Sequence, residues 1–220
     1  MQKEKFSFKK EPSSKNKIKI FWNWLWNSDS IWSYVVFLIL IFILVKFIFL
    51  PGLGLIFGTS LPLAIVESSS MEHYALQTSS VNFDICGKIF LEKIFLDKEN
   101  YWDTCGDWYT QNTNISKEEF QSFSFNNGFR KGDVMIIFGK NPKNIKIGDI
   151  IIFDSGRNHP IIHRVISLNP IQTKGDHNPA QLTEEKNINP NQIIGVAKAR
   201  IPYIGWFKLF FFETWQKLAK

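Results

Sequence analysis

The chain has 220 residues, 45% hydrophobic and 15% aromatic, with a formal net charge of +6. With about 60 N-terminal residues set aside for anchoring, about 160 remain, enough for one domain with a sizeable core. The positive charge does not mark a nucleic-acid binder, because the basic residues form no stripe outside the first twenty positions.

Residues 1–20 carry Lys3, Lys5, Lys9, Lys10, Lys15, Lys17 and Lys19 against Glu4 and Glu11. They read as a disordered basic tail on the cytoplasmic face of a membrane. Residues 21–50 read as the anchor. The run from Ile31 to Leu50 has the length of about 20 residues that a spanning helix needs. Its charge, Lys46, sits near the far end, where a long side chain can reach the headgroups. Trp22, Trp24, Trp26 and Trp32 gather at the near end, as in an interfacial belt. A cleavable signal peptide fits less well, because the polar start and the apolar run are both too long. The lysines then stay in the cytoplasm, and the chain from about residue 52 lies outside. Pro51-Gly52-Leu53-Gly54 is expected to break the helix. Beyond it Leu61, Leu63 and Ile65 alternate around Pro62, which suggests an edge strand near the bilayer leading into Ser70.

Residues 51–203 would form an extracytoplasmic β domain, with 74–127 an inserted cap or loop region. The insert is rich in Asn, Asp and Gln, and it shows little period. Ser116-Lys117-Glu118-Glu119 has the form of a capping box, so a short helix is expected there. Cys86 and Cys105 lie on the outer side, where an even count favours a disulfide closing a loop of about twenty residues. Asn114-Ile115-Ser116 is a glycosylation sequon. From Gly132 short β-branched runs alternate with Gly, Asp and Asn turns: Val134–Phe138, Asp149–Phe153, Ile161–Ile166 and Ile193–Ala199. That is the pattern of a mainly β, antiparallel domain. In the tail 204–220, Trp206, Leu209, Phe210 and Trp215 are expected to share one helical face, packed on the domain or lying on the membrane.

Ser68-Ser69-Ser70-Met71 just beyond the anchor offers a nucleophile, which needs a base. The histidines are His73, His159, His163 and His177. His159 and His163 are four apart, but Pro160 and β-branched neighbours argue for a strand. There they would sit about 13 Å apart, too far to share an ion, so no metal is expected.

Taken in order, these blocks resemble type I signal peptidase in its archaeal and endoplasmic-reticulum form. The family's Ser-x-Ser-Met-x-Pro is matched by Ser68-Ser69-Ser70-Met71-Glu72-His73, with His73 where the family has proline. Gly128-Phe129-Arg130-Lys131-Gly132-Asp133-Val134-Met135, the Gly148–Phe153 run, Ile161-Ile162-His163-Arg164-Val165 and Lys174-Gly175-Asp176-His177-Asn178 follow in the family's order. The resemblance covers the anchor and most of the outer domain, leaving out the tail and residues 74–127. It implies that Ser70 attacks the scissile carbonyl, that His163 is the general base, and that Asp176 orients it. The oxyanion hole would use the Ser70 N–H and the Ser68 hydroxyl. The family's acid has a second place further on, where Leu182 stands by gapless count, so Glu184 and Glu185 are alternative acids. Arg164 points away from His163 and reads as structural, and His177 is a competing base.

No cofactor is expected. Expected partners are preproteins bearing signal peptides, the lipid bilayer and the protein translocation machinery, at the cell membrane. Two other readings remain open: a serine–lysine self-cleaving or pro-protein-processing peptidase using Lys131 or Lys174, and a peptide-binding β domain that has lost catalysis.

Overall fold

The computed structural model describes residues 14–210 and Thr214. Residues 1–13 of the expected tail, and Trp215, lie outside the described residues. The chain divides into two compact units, Met1–Gly52 and Leu53–Lys220.

In the first unit, helix α1 spans Ser14–Asn27. It begins inside the segment expected to be a disordered tail: past Pro12 no proline or glycine interrupts residues 14–20, and lysine is a good helix former. Ser30 then caps helix α2 (Ile31–Leu44), its side chain accepting from Trp32 N–H. The buried Ser33 hydroxyl donates to the carbonyls of Ser28 and Ser30. The helix does not break at Pro51. A π-helical turn over Val45–Phe49 leads directly into α3 (Leu50–Phe57). The wider turn just before the ring accommodates the missing N–H and the bulk at the preceding carbonyl. Ile31–Phe57 is therefore one helical stretch of 27 residues, long and apolar enough to cross a membrane.

The second unit is built on an antiparallel six-stranded sheet among the described residues, in the order β1-β5-β9-β6-β7-β8. These strands are β1 (Leu63–Ile65), β5 (Val134–Phe138), β6 (Ile150–Phe153), β7 (Ile161–Leu168), β8 (Ile171–Lys174) and β9 (Ile193–Ile201). The four expected runs are strands, while β8 was not legible as one. On β6, Ile150 and Ile152 join a cluster with Met71, Phe129 and Ile137, while Ile151 and Phe153 join another with Val165 and Val196. Burial on both faces explains why the strand reads as an unbroken apolar run. The edge strand expected around Leu61, Leu63 and Ile65 is present as the three-residue β1, paired on β5, and α3 occupies the chain up to Phe57. There Ala64 and Val66 face the core, and Leu61, Leu63 and Ile65 are half-buried.

The insert is ordered rather than loop-like. It holds a small sheet, β2 (Leu76–Gln77), β3 (Phe83–Ile85) and β4 (Lys88–Phe90), and two helices, α4 (Lys98–Asn112) and α5 (Lys117–Ser122). Ser116 caps α5 as expected, accepting from Glu119 N–H at 3.1 Å. The 15-residue α4 was not foreseen. Asp97 caps it, and its buried face is Tyr101, Cys105 and Tyr109, spaced four apart. These residues pack with Phe120 and with Ile166 of β7, joining the insert to the main sheet. Cys86 and Cys105 form the expected disulfide, tying the hairpin to α4. Beyond β9, residues 206–210 are helical. The expected common face is divided there: Leu209 is buried, while Phe210 is exposed.

Removing the disulfide with a Cys86→Ala, Cys105→Ala pair is expected to cost about 3 kcal/mol, the chain-entropy estimate for a loop of this length. Denaturant unfolding of both proteins in the same detergent measures it, and unchanged stability would contradict the role assigned to the staple.

Candidate functional site

Ser70 follows β1, in the turn that leads to Met71. Two segments fix that turn. Met71 is buried, and its carbonyl accepts from Phe129 N–H at 3.0 Å. Gly128 has φ +66, and a Cβ there would meet the Met71 carbonyl oxygen at 2.3 Å, so only glycine lets the 128–129 segment approach so closely. From the other side, His177 N–H donates to the Ser70 carbonyl at 2.9 Å, and Asp176 N–H to Met71 Sδ at 3.3 Å. A Cβ on Gly175 would lie 2.8 Å from both His163 Nε2 and the Ser70 carbonyl oxygen. The 174–178 loop therefore runs against the His163 imidazole and the backbone of Ser70 at a distance only glycine permits.

His163 comes from β7, where it pairs in register with Ile151 of β6. Ser70 Oγ–H donates to His163 Nε2 at 2.6 Å. His163 Nδ1–H donates to Glu185 Oε1 at 2.5 Å. The carboxylate fixes the tautomer, leaving Nε2 free to accept from the serine. Glu185 is fully buried at the end of a short 3₁₀ turn, Thr183–Glu185. It accepts further hydrogen bonds from Thr173 Oγ1–H (3.0 Å) and Leu182 N–H (2.7 Å). Its neighbour Glu184 points outward and pairs with Arg157 at 2.6 Å. The tight turn separates two adjacent acids onto opposite sides, which a gapless count of positions cannot anticipate.

The expected acid, Asp176, does not orient His163, because its carboxylate is engaged elsewhere. Its Oδ1 and Oδ2 accept from Arg164 Nε (2.9 Å) and Nη2 (2.7 Å), and Oδ2 also contacts His73 Nε2 at 3.1 Å. Arg164 is buried on the strand face opposite His163, and its remaining donors reach the carbonyls of Ser124, Phe125 and Gly148. Burial alone would raise the Asp176 carboxyl, but the Arg164 charge, together with hydrogen bonds from His73 and Arg164, outweighs it. The carboxyl is held well below the carboxylate range. His73, at the family's proline position, is lowered by burial against the pull of Asp176. It stacks on Tyr101 at 4.0 Å. Instead of a proline ring, a histidine hydrogen bond ties this turn to Asp176.

The other expected residues are placed as follows. Ser68 Oγ lies 3.1 Å from Ser70 Oγ. His177 Nδ1 lies 3.2 Å from the Glu72 carbonyl, which engages that nitrogen. Lys174 is buried and lowered to about 8 by desolvation. Its Nζ donates to the carbonyls of Gly175 and Asn178, and it sits over the rings of Trp108 and Tyr109. Lys131 Nζ lies over the Trp206 ring. Among the described residues no group of His, Cys, Asp or Glu is arranged to hold a metal. A groove of about 760 Å³ opens on Ser70 and His163, lined along one side by Leu61, Leu63 and Ile65.

No family model matches the chain. It is homologous to curated proteins named signal peptidase complex catalytic subunit SEC11. The relative from Lodderomyces elongisporus is 28% identical over 106 residues, 42% of this chain and 63% of the relative. The relative from Scheffersomyces stipitis is 29% identical with the same coverage. One from Saccharomyces cerevisiae is 29% identical over 113 residues, 45% of this chain and 66% of the relative. The chain thus spans a little under two thirds of the length of the curated relatives it matches.

Asp176→Asn removes the counter-charge of a buried guanidinium, and about 3–5 kcal/mol of stability is expected to go with it at pH 7. Because the folded carboxyl is depressed, its contribution is complete above the unfolded value of about 3.9 and fades as pH falls toward the folded one. The stability gap between wild type and variant should therefore narrow below about pH 4. Unfolding curves at pH 7 and pH 3 test this, and a gap independent of pH would contradict the pairing.

Proposed function

We propose that the chain is a membrane-anchored serine endopeptidase that cleaves signal peptides from exported preproteins. In this reading Ser70 is the nucleophile, His163 the general base, and Glu185, in place of Asp176, the acid that orients it. The observation that carries the reading is the unbroken line from Ser70 Oγ through His163 to Glu185, at 2.6 and 2.5 Å, opening into a groove. The homology to subunits named for signal peptidase activity supplies the substrate class.

As Ser70 Oγ bonds to the scissile carbonyl carbon, its proton passes to His163 Nε2. Glu185 stabilises the imidazolium and keeps Nδ1 protonated throughout. The C–N bond then breaks, and His163 returns the proton to the leaving amine. Water, deprotonated by the same nitrogen, hydrolyses the ester on Ser70. The oxyanion would be met by the Ser70 N–H and the Ser68 hydroxyl, a donor whose loss typically costs about 10²–10³ in rate. β1 is a terminal strand of its sheet beside the groove, so an extended peptide can add to its edge.

The helix Ile31–Phe57 would cross the bilayer, with the N-terminus cytoplasmic and the peptidase domain on the side where signal peptides emerge. The translocation machinery and, as in the names of the relatives, a signal peptidase complex are the expected partners. The serine–lysine reading finds less support: Lys174 Nζ is occupied by two backbone carbonyls, while His163 is on the serine. The reading as a binding domain without catalysis is separated by assay.

Ser70→Ala and His163→Ala should each abolish cleavage of a preprotein in detergent with the fold intact. Glu185→Gln should reduce kcat by about 10²–10⁴. Full cleavage by His163→Ala would overturn the base assignment. A wild-type chain that binds signal peptide without cutting it would favour the binding domain.

A further inference from the structure

The insert over 74–127 falls outside the family resemblance, yet it makes contacts directly behind the reacting groups. Tyr101 O–H donates to the Asp176 carbonyl at 2.7 Å, and Tyr109 O–H to Asp176 Oδ1 at 3.3 Å. Both tyrosines are fully buried on α4, one turn either side of Cys105, and the disulfide holds that helix to Cys86. Cys86 N–H in turn donates to the His177 carbonyl at 2.9 Å. Three contacts from the insert thus converge on two residues, Asp176 and His177, and the His177 N–H is the group bound to the Ser70 carbonyl. Next to them Gly175 leaves no room between the loop and either Ser70 or His163.

We infer that Tyr101 and Tyr109 are positioning residues for the Ser70–His163 pair, acting through the 174–178 loop, and that the disulfide-tied insert is the brace for that loop. The inference rests on the proposed serine chemistry and goes beyond it. The tyrosines touch no substrate. They set where the loop stops, and the loop sets the separation between hydroxyl and imidazole. A shift of a few tenths of an ångström there changes the fraction of time in which the two are within transfer distance, while the groove along Leu61 and Leu63 is untouched. Burial raises both phenols well above their ordinary value, so they remain donors across the working pH range.

The test uses the full chain in detergent, with Tyr101→Phe, Tyr109→Phe and the double variant. Preprotein cleavage gives kcat and KM, and a serine-directed fluorophosphonate gives the labelling rate of Ser70 independently of any peptide. The expected result is a fall of about tenfold in kcat for Tyr101→Phe, less for Tyr109→Phe with its longer bond, and more for the pair. KM should stay within about twofold, and the labelling rate should fall in parallel with kcat. A merely structural role would lower the active fraction, leaving the kcat of the titrated enzyme unchanged, and that outcome overturns the inference. So does wild-type kcat and labelling in both single variants. Tyr109→Phe decides should Tyr101→Phe not fold. If the wild type is labelled at Ser70 but cuts no preprotein, the substrate assignment fails and the labelling rates still decide the positioning role.

Discussion

A guanidinium with no exposure to water has to be neutralised where it stands, and Arg164 is such a group. It meets Asp176 through two hydrogen bonds and spends its other donors on the carbonyls of Ser124, Phe125 and Gly148. That pairing commits Asp176 to one position. The commitment passes along the backbone to Gly175 and His177, and from His177 to the carbonyl of Ser70. The serine is thus located by an ion pair on the opposite side of β7 from the histidine it contacts. A pair of this kind adds little net stability over a well-packed apolar alternative, but it tolerates one arrangement only.

The site divides two tasks between two carboxylates. Asp176 fixes the loop, with a charge that Arg164 balances. Glu185 fixes the imidazole, on a separate turn and with hydrogen bonds from Thr173 and Leu182. Each acid has a full set of partners, so neither is available for the other's work. His73 completes the first arrangement: where the resembling family has a proline to stiffen the turn after the serine, this chain uses a hydrogen bond to Asp176 and a stack on Tyr101. The stack also binds that turn to the insert, so the departure from the family pattern and the extra helices belong to one structural solution.

Much of this was legible in the sequence, and what was not has physical causes. Strand runs such as Ile150–Phe153 stand out because burial on both faces demands continuous apolar residues. Ser70 and His163, whose Oγ and Nε2 lie 2.6 Å apart in the fold, read as a pair from ordered short blocks. Asp176 reads as the partner of His163 because it follows a glycine in a recognisable block, whereas the carboxylate in contact with His163, Glu185, enters through a 3₁₀ turn, and the side a tight turn selects is not written in residue spacing. Helix α4 was missed because its polar residues mask the period, although Tyr101, Cys105 and Tyr109 at four-residue intervals carried the signal. The break expected at Pro51 failed to occur because a π-helical turn relieves the clash one step earlier.

The most direct examination of the central assignment is the proton on His163 Nδ1. In protein labelled with ¹⁵N-histidine, the low-field imidazole N–H resonance of His163 should be present in the wild type and in Ser70→Ala. It should be lost or strongly displaced by Glu185→Gln and retained in folded Asp176→Asn. A resonance that survives Glu185→Gln and disappears in folded Asp176→Asn would return the orienting role to Asp176 and contradict the arrangement described.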